Sequence, residues 1–514
     1  MGTPGSPTSL SDGFSESSPV TKQSLTEKGT EIQHSIPSDS ANNRVDKLKI
    51  LNSAIQDIGF GKYHRRLFFV SGFGWFIDSA FPIVTSLILP AIVSEYKYPG
   101  AVLVLAANAG QLCGALIWGL VCDVQGRRWP FNVTLLVAGV FGLAAGGAPT
   151  FVTLSVLMAI VGFGVGGNIP VDSAIFLEFI PSTHQYLLTA LATFWILGLI
   201  FVNLIAWPLM ANFSCQYNTD CQRADNMGWR YLLFTIGGVT LAFWVIRFFA
   251  FHLYESPRYL MGRGRVEEAV GVVQKVAKFN GASCTLRVED LKDETEEAEF
   301  GDDHQGFAYV LQRLRSLFAC KQAALSTSLL IVIWSVLSLG TTLYNSFLPF
   351  LLTARGATFG DASIAIAYRN QLIISVSGIL SPFIASQAVE VPALGRRGAL
   401  CGFCVLTGTF LLASTTAGDS TTLLGWNCGY SFCSNGVFSV LYSFTSEVFP
   451  TKNRGTGNAI ASMSGRMFGV IAPLIGLYVD VTTAVPAYIG ASLMIAAGFL
   501  ALLVPYEPRG KDAI

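Results

Sequence analysis

Twelve runs of about 20 apolar residues recur between His64 and Pro505. A run of that length is what an α-helix needs to cross the hydrocarbon core of a bilayer at 1.5 Å per residue. Composition fits such a chain: 52% of the 514 residues are hydrophobic and 13% are charged, about half the charged share of a soluble domain. The fold class read from this is all-α, a polytopic membrane protein with twelve transmembrane helices in two six-helix halves. The expected boundaries are a disordered tail at 1–60, rich in Ser, Thr, Pro and Gly, a first bundle at 64–253, a central loop at 254–325, a second bundle at 326–505 and a short tail at 506–514. The central loop carries the acidic run Glu294 to Asp303 and cannot lie in the bilayer. Its segment ESPRYLMGRGRVEEAVGVVQKVAKFNG has a helical apolar period, which predicts amphipathic helices on the membrane surface. No cleavable signal peptide is visible.

Lys and Arg in the short loops orient the bundle. The loops after the second, eighth and tenth spans carry Arg127, Arg128, Arg396, Arg397, Lys452 and Arg454. The opposite loops carry Lys97, Arg223 and Arg355. The first set is therefore expected on the cytoplasmic side, together with both tails and the central loop. Asn212-Phe-Ser214 is an N-glycosylation acceptor in the loop after the fifth span, which agrees with an external face there. Cys215 and Cys221 share that loop and are a candidate disulfide. Cys401 and Cys404 form a CxxC inside an apolar run and are read as packing residues, not metal ligands. A net charge of zero gives no sign of a nucleic-acid partner.

The two halves repeat. Gly126-Arg-Arg128 recurs as Gly395-Arg-Arg397, a shift of 269, and Glu178-x-x-Pro181 recurs as Glu447-x-x-Pro450 at the same shift. Asp123 answers to Glu390 at 267. Repeated six-helix halves around a midplane site are a transporter architecture. Gly119-x-x-x-Asp123-x-x-Gly126-Arg127-Arg128 joins the second and third spans. Its glycine permits close helix approach, and its carboxylate can meet a helix N-terminus or an arginine. This pattern is similar to the signature loop of the major facilitator superfamily. YSFTSEVFPTKNRGTGNAIASMSGRMFGVIAP, in the tenth and eleventh spans, resembles the organic-ion and synaptic-vesicle-protein-like branch. ESPRYL resembles a motif that this branch shares with the sugar porters. The resemblance covers roughly residues 60 to 505. It implies alternating access, with the loop acting as a conformational latch. The second copy has two extra residues between Glu390 and Gly395. The paired glutamines of sugar porters are missing from the seventh span, as are the glutamine of the fifth and the Pro-Trp pair of the tenth, which disfavours a hexose.

A charge at the bilayer centre costs at least ~2.5 kcal/mol unless it faces the bundle interior. Asp78 lies about 16 Å into the first span at 1.5 Å per residue, and Arg466 lies similarly deep in the eleventh. The resemblance puts the first span on the cavity and the eleventh at the interface between halves, so the two can face each other, as substrate and proton groups or as a static ion pair. The repeat counterpart of Arg466 is Leu197, so the charge belongs to one half only. Asp172, near the cytoplasmic end of the fourth span, is either a second proton or substrate group or a partly hydrated gate residue. Glu178 and Glu447 are expected to pair with loop arginines as gates. Arg247 and Arg369, near span ends, are expected to snorkel. Trp75, Phe76, Trp195, Trp334, Tyr344, Phe438 and Tyr442 share the depth of Asp78. They either line a cavity for a ring-bearing solute or pack. Gly162-x-Gly164-x-x-Gly167 matches a dinucleotide fingerprint literally, but lies within an apolar run with no strand before it, so it is read as helix packing.

The function expected is secondary active transport of a small solute: proton-coupled movement of an organic ion or metabolite. Asp78 would exchange the proton while Arg466 holds an anion. The alternatives are a sugar or polyol porter and a non-transporting nutrient sensor of the same fold. The nine residues after Pro505 are short for a sensor's signalling tail. No nucleophile–base constellation, metal-ligand cluster or cofactor motif points to an enzyme. The expected partners are a small-molecule substrate, protons and the lipid bilayer, for a monomer in the plasma membrane.

Overall fold

The computed structural model describes residues 38–184, 187–215, 221–291, 315, 317–319, 321–359, 363–449, 454–479 and 483–505. The described residues contain no strand. The chain divides into two units, 1–46 and 47–514, and the helical bundle belongs to the second. The first half comprises α2 (Lys62–Tyr96), α3 (Gly100–Gln125), α4 (Arg128–Gly146), α5 (Phe151–Gly166), α6 (Asn168–Phe179), α7 (Leu187–Phe213) and α8 (Gly228–Val245), preceded by α1 (Ser38–Ile58). The linker holds α9 (Pro257–Gly262) and α10 (Val266–Asn280). The second half comprises α11 (Lys321–Thr358), α12 (Ile364–Ser377), α13 (Ser381–Glu390), α14 (Gly395–Thr415), α15 (Ser420–Val448), α16 (Arg454–Tyr478) and α17 (Val485–Leu502).

Among the described residues eleven helical stretches are long and apolar enough to cross a membrane; α5 with α6, and α12 with α13, each make one such stretch. The twelfth is α15, 29 residues long. Its length suffices, but Asn427, Ser431, Ser434, Asn435 and Ser443 lower its hydropathy. The chain can carry those groups inside a bilayer because α15 is packed among α12, α13, α14 and α16. Asn427 is fully buried and donates to the Leu423 carbonyl. The fold is thus a twelve-span membrane bundle.

Small residues set the helix spacing. A Cβ on Gly110 or Gly114 of α3 would fall about 2 Å from the Ala159 or Phe163 carbonyl of α5, and Gly162 and Gly166 of α5 meet the Ala107 and Gln111 carbonyls in return. Gly164 and Gly167 abut Ala138 and the Trp118 ring, so the fingerprint-like glycines serve helix contacts. Gly119 does not: a Cβ there would meet open space, which corrects the close-approach reading of that residue.

The ends of the bundle differ. At the end that carries Arg127 and Arg396, the arginine end, the linker helices α9 and α10 pack on the first half. Val270, Val273 and Ala277 of α10 bury against Leu51, Ile55 and Ile58 of α1. The expected disordered tail at 1–60 is therefore helical from Ser38 to Ile58, because the spacing of Leu51, Ile55 and Ile58 gives that stretch an apolar face and α10 covers it. At the far end Arg230 donates to Glu95 at 2.6 Å, both nearly buried, and lies over the Trp229 ring at 4.1 Å. Asn226 and Trp229 donate to the same carboxylate. Cys215 and Cys221 are disulfide-bonded there. Asn212 lies in the last turn of α7, and its amide donates to the Pro208 carbonyl, so the glycosylation acceptor belongs to a helix rather than a loop.

Candidate functional site

α2 is the most enclosed spanning helix and carries Asp78, 6% exposed, near its middle. Pro82 follows four residues later inside the helix. It removes the amide that would bond the Asp78 carbonyl. A Cβ on Gly198 of α7 would fall 2.4 Å from the Phe76 carbonyl, so α7 approaches α2 closely. That approach brings Trp195, one turn earlier on α7, near the Asp78 carboxylate, where it and Gln111 of α3 are polar neighbours. From the second half, Arg466 of α16 places Nη2 3.6 Å from Asp78 Oδ1. This is an ion pair across the two halves, without a direct hydrogen bond. Arg466 keeps about a quarter of its side-chain surface exposed, against 7% for Asp78.

Tyr442 of α15 lies within electrostatic reach of both charges and yet is 52% exposed. Its ring meets Trp334 edge-on at 4.7 Å. Trp75 and Trp195 on the first half are half-buried. Two aromatics expected to line the cavity do not. Trp334 is 4% exposed and donates to Thr445 Oγ1, and Tyr344 is 2% exposed, donates to Asn427 Oδ1 and stands edge-on to Tyr430. Both pack the second half internally. Phe76 packs on Phe201 and Phe243, and Phe438 against Trp334.

Asp172 is neither partly hydrated nor in the cleft. It is fully buried and bonds Arg247 Nη2 at 2.5 Å through Oδ1. Arg247 is equally buried. Its other terminal nitrogen donates to the Phe131 carbonyl, and its guanidinium lies 3.3 Å from the Phe131 ring centroid. It belongs to a π-helical turn, Ile246–Ala250, that ends α8. Pairing with Asp172 and the Phe131 carbonyl and ring holds Arg247 inward instead of letting it snorkel. Arg369 is exposed and donates to Asn370.

At the arginine end the repeat is visible in three dimensions. Arg127 pairs with Glu178, and Arg396 pairs with Glu447 at 2.8 Å and with Glu390 at 3.3 Å. Both arginines follow glycines with positive φ, Gly126 at 92° and Gly395 at 61°. Arg128 is exposed, Arg397 half-buried. Asp123 lies in α3 and Arg454 begins α16, but their side chains fall outside the described residues. One group that sequence reasoning missed completes this corner. Glu255 accepts from the amides of Arg127 and Arg128 at the start of α4. Ser256 caps α9, and Tyr259 and Arg263 donate to the Val124 carbonyl. ESPRYL is thus the clasp between linker and loop.

Three further hydrogen bonds join the halves toward the far end: Asn108 to the Gly469 carbonyl at 3.1 Å, Asn203 to Ser375 Oγ at 3.0 Å, and Tyr368 to the Leu87 carbonyl at 2.5 Å. Asn108 and Asn203 are amides inside apolar runs, a signal as readable as a buried charge. Among the described residues no cluster of His, Cys, Asp or Glu could hold a metal.

Residues 72–510 match the family described as Sugar (and other) transporter. The chain is 54% identical over 478 residues to MFS siderochrome iron transporter 1 of Ceriporiopsis subvermispora, covering 91% of this chain and 92% of that protein. It is 28% identical over 436 residues to the niacin transporter NiaP of Acinetobacter baylyi, covering 83% and 89%. The xylose transporter XylE of E. coli, in a partially occluded inward-open conformation, superposes with a TM-score of 0.64 at 17% identity, over 87% of this chain and 99% of that one.

Proposed function

Since this chain belongs to the sugar (and other) transporter family of the major facilitator superfamily, we propose that it is a proton-coupled carrier of a small organic anion, a ring-bearing carboxylate above all, working by alternating access across the plasma membrane with its arginine end in the cytoplasm. The observation that carries this reading is the Asp78–Arg466 ion pair between the halves. Its two charges cancel. An anion that takes Arg466 leaves Asp78 uncompensated in a medium of low dielectric, where a lone charge is expensive. One proton on Asp78 restores neutrality. The loaded carrier then holds one anion and one proton, and both it and the empty carrier are neutral at the midplane.

Geometry supports the substrate class. The 3.6 Å separation without a hydrogen bond leaves the guanidinium free to grip a carboxylate in bidentate fashion. Trp195 and Tyr442 supply aromatic rings near the pair. The niacin transporter among the relatives handles a solute whose name is consistent with that chemistry. A second reading, uptake of an iron siderochrome, is favoured by the 54% identical relative.

Uptake into proteoliposomes, with nicotinate, an iron siderochrome and xylose offered separately with and without an inward pH gradient, separates these. The expected result is acid-driven accumulation of the carboxylate, insensitive to membrane voltage. Asp78→Asn should keep counterflow but bring the accumulation ratio down to about one, because it mimics the protonated state permanently. Arg466→Ala should weaken anion binding by roughly 30-fold or more, with Arg466→Lys intermediate. Wild-type accumulation by Asp78→Asn would exclude Asp78 as the proton carrier. Accumulation of the siderochrome alone would install the second reading.

A further inference from the structure

Asp172 and Arg247 are the largest buried electrostatic feature that this mechanism leaves unused. Their placement relative to Asp78 is specific. Asp172 Oδ1 is held by Arg247 on the α8 side. Its other oxygen points the opposite way, at the backbone of α2, where a Cβ added to Gly74 would fall 1.7 Å from Oδ2. Gly74 is one helical turn before Asp78 on the same helix. Oδ2 has no hydrogen-bond partner, and both side-chain polar atoms of the neighbouring Asn168 on α6, itself fully buried, are likewise unpartnered. The pair is therefore an oriented dipole. Arg247, its positive end, is anchored to the Phe131 carbonyl and ring away from α2, and the negative end lies bare against the helix that carries Asp78.

We propose that Asp172 is a positioning residue for the proton step: with Arg247 behind it, it presents a fixed negative potential to Asp78 and so sets the pH at which Asp78 changes charge. This rests on the reading of Asp78 as the proton-exchanging group. Asp172 keeps its own charge throughout, since protonating it would strand Arg247 in the core. The groups that face Asp78 are Arg466 from α16, Gln111 from α3, Trp195 from α7, Tyr442 from α15 and, through Gly74, Asp172 from α6. Arg466 is the attractive charge among them and Asp172 the repulsive one, and Asp172 in turn feels the charge of Asp78. A pair kept only for stability would be replaceable by neutral side chains at little cost; a pair that shapes the potential would not be electrically silent when replaced.

The purified protein carries its own reporter, because Trp195 is a near neighbour of Asp78. The experiment is a pH titration of intrinsic fluorescence in lipid nanodiscs, with Trp195→Phe subtracted as background and no substrate present. Wild type should show a transition that Asp78→Asn abolishes. If that transition is absent, or survives Asp78→Asn, the proton reading of Asp78 fails first, and this proposal with it. If it is present, Asp172→Asn combined with Arg247→Gln, which leaves no bare charge, should move the midpoint by about one pH unit in the acid direction. Gly74→Ala, which must push the carboxylate off α2, should move it the same way and decides the question if the double variant does not fold. A wild-type midpoint in either folded variant overturns the proposal.

Discussion

Gly126 combines φ of 92° with ψ of 175°, a region open essentially to glycine alone. A Cβ there would also fall 2.6 Å from Glu255 Oε2. Gly126→Ala is therefore expected to lower stability by about 1–3 kcal/mol, read as a drop in melting temperature in detergent; an unchanged melt would mean that the turn is not held in this conformation. Other residues show where sequence reading stops. Counting along a span gives depth, and depth alone nominates Asp78 and Arg466. It does not give azimuth. Trp334 and Tyr442 meet at one depth, yet only Tyr442 is exposed. Spans that are apolar on nearly every face carry no amphipathic signal to say which side is inside. The same blindness placed Arg247 at the membrane surface. Its inward partners, Asp172 and Phe131, lie 75 and 116 residues away in sequence.

Element boundaries followed from apolar run length and from Gly and Pro punctuation, so the spanning helices were legible. The connections between them were less so. The loop from α3 to α4 reads as a charge cluster, but its order comes from Glu255, 128 residues away in sequence from Arg127. No local rule relates them, although acidic groups favour helix N-termini in general. Glu255→Ala should cost about 1–2 kcal/mol through loss of the cap on α4, while Glu255→Gln, which retains an acceptor, should cost less. Thermal melts of the two variants check the order, and equal melts for both would show that charge rather than hydrogen bonding is at stake. α15 is a converse case. Its polar residues weaken its membrane signal, and its helix lasts because neighbours cover Asn427 and Tyr430.

At the level of the whole bundle, the halves touch toward the far end through Tyr368, Asn203 and Asn108. Alternating access requires those contacts to part. Asn203→Cys with Ser375→Cys replaces a 3.0 Å contact between α7 and α12. The pair should cross-link under mild oxidation, abolish turnover, and recover on reduction. Full transport by the cross-linked protein would refute motion of the halves at that contact. Orientation is tested separately: tags at residue 20 and at the C-terminus should resist external protease in intact cells, and digestion of either would invert the assignment. The 269-residue repeat made the two-half organisation readable. The asymmetry of charge did not follow from it, since Asp78, Asp172 and Arg247 belong to one half and Arg466 to the other.

The two helices of the linker rest on the first half, while Leu317, at its far end, packs into the second. α10 packs against α2, α9 against α6, and α1 is fastened to α10. In mechanical terms the first half is the stator, stiffened by a helical collar at its base, and the second half is the rotor. Probes on α10 and α6 should keep a constant separation through the transport cycle, while probes on α10 and α14 should swing apart and together with each turnover.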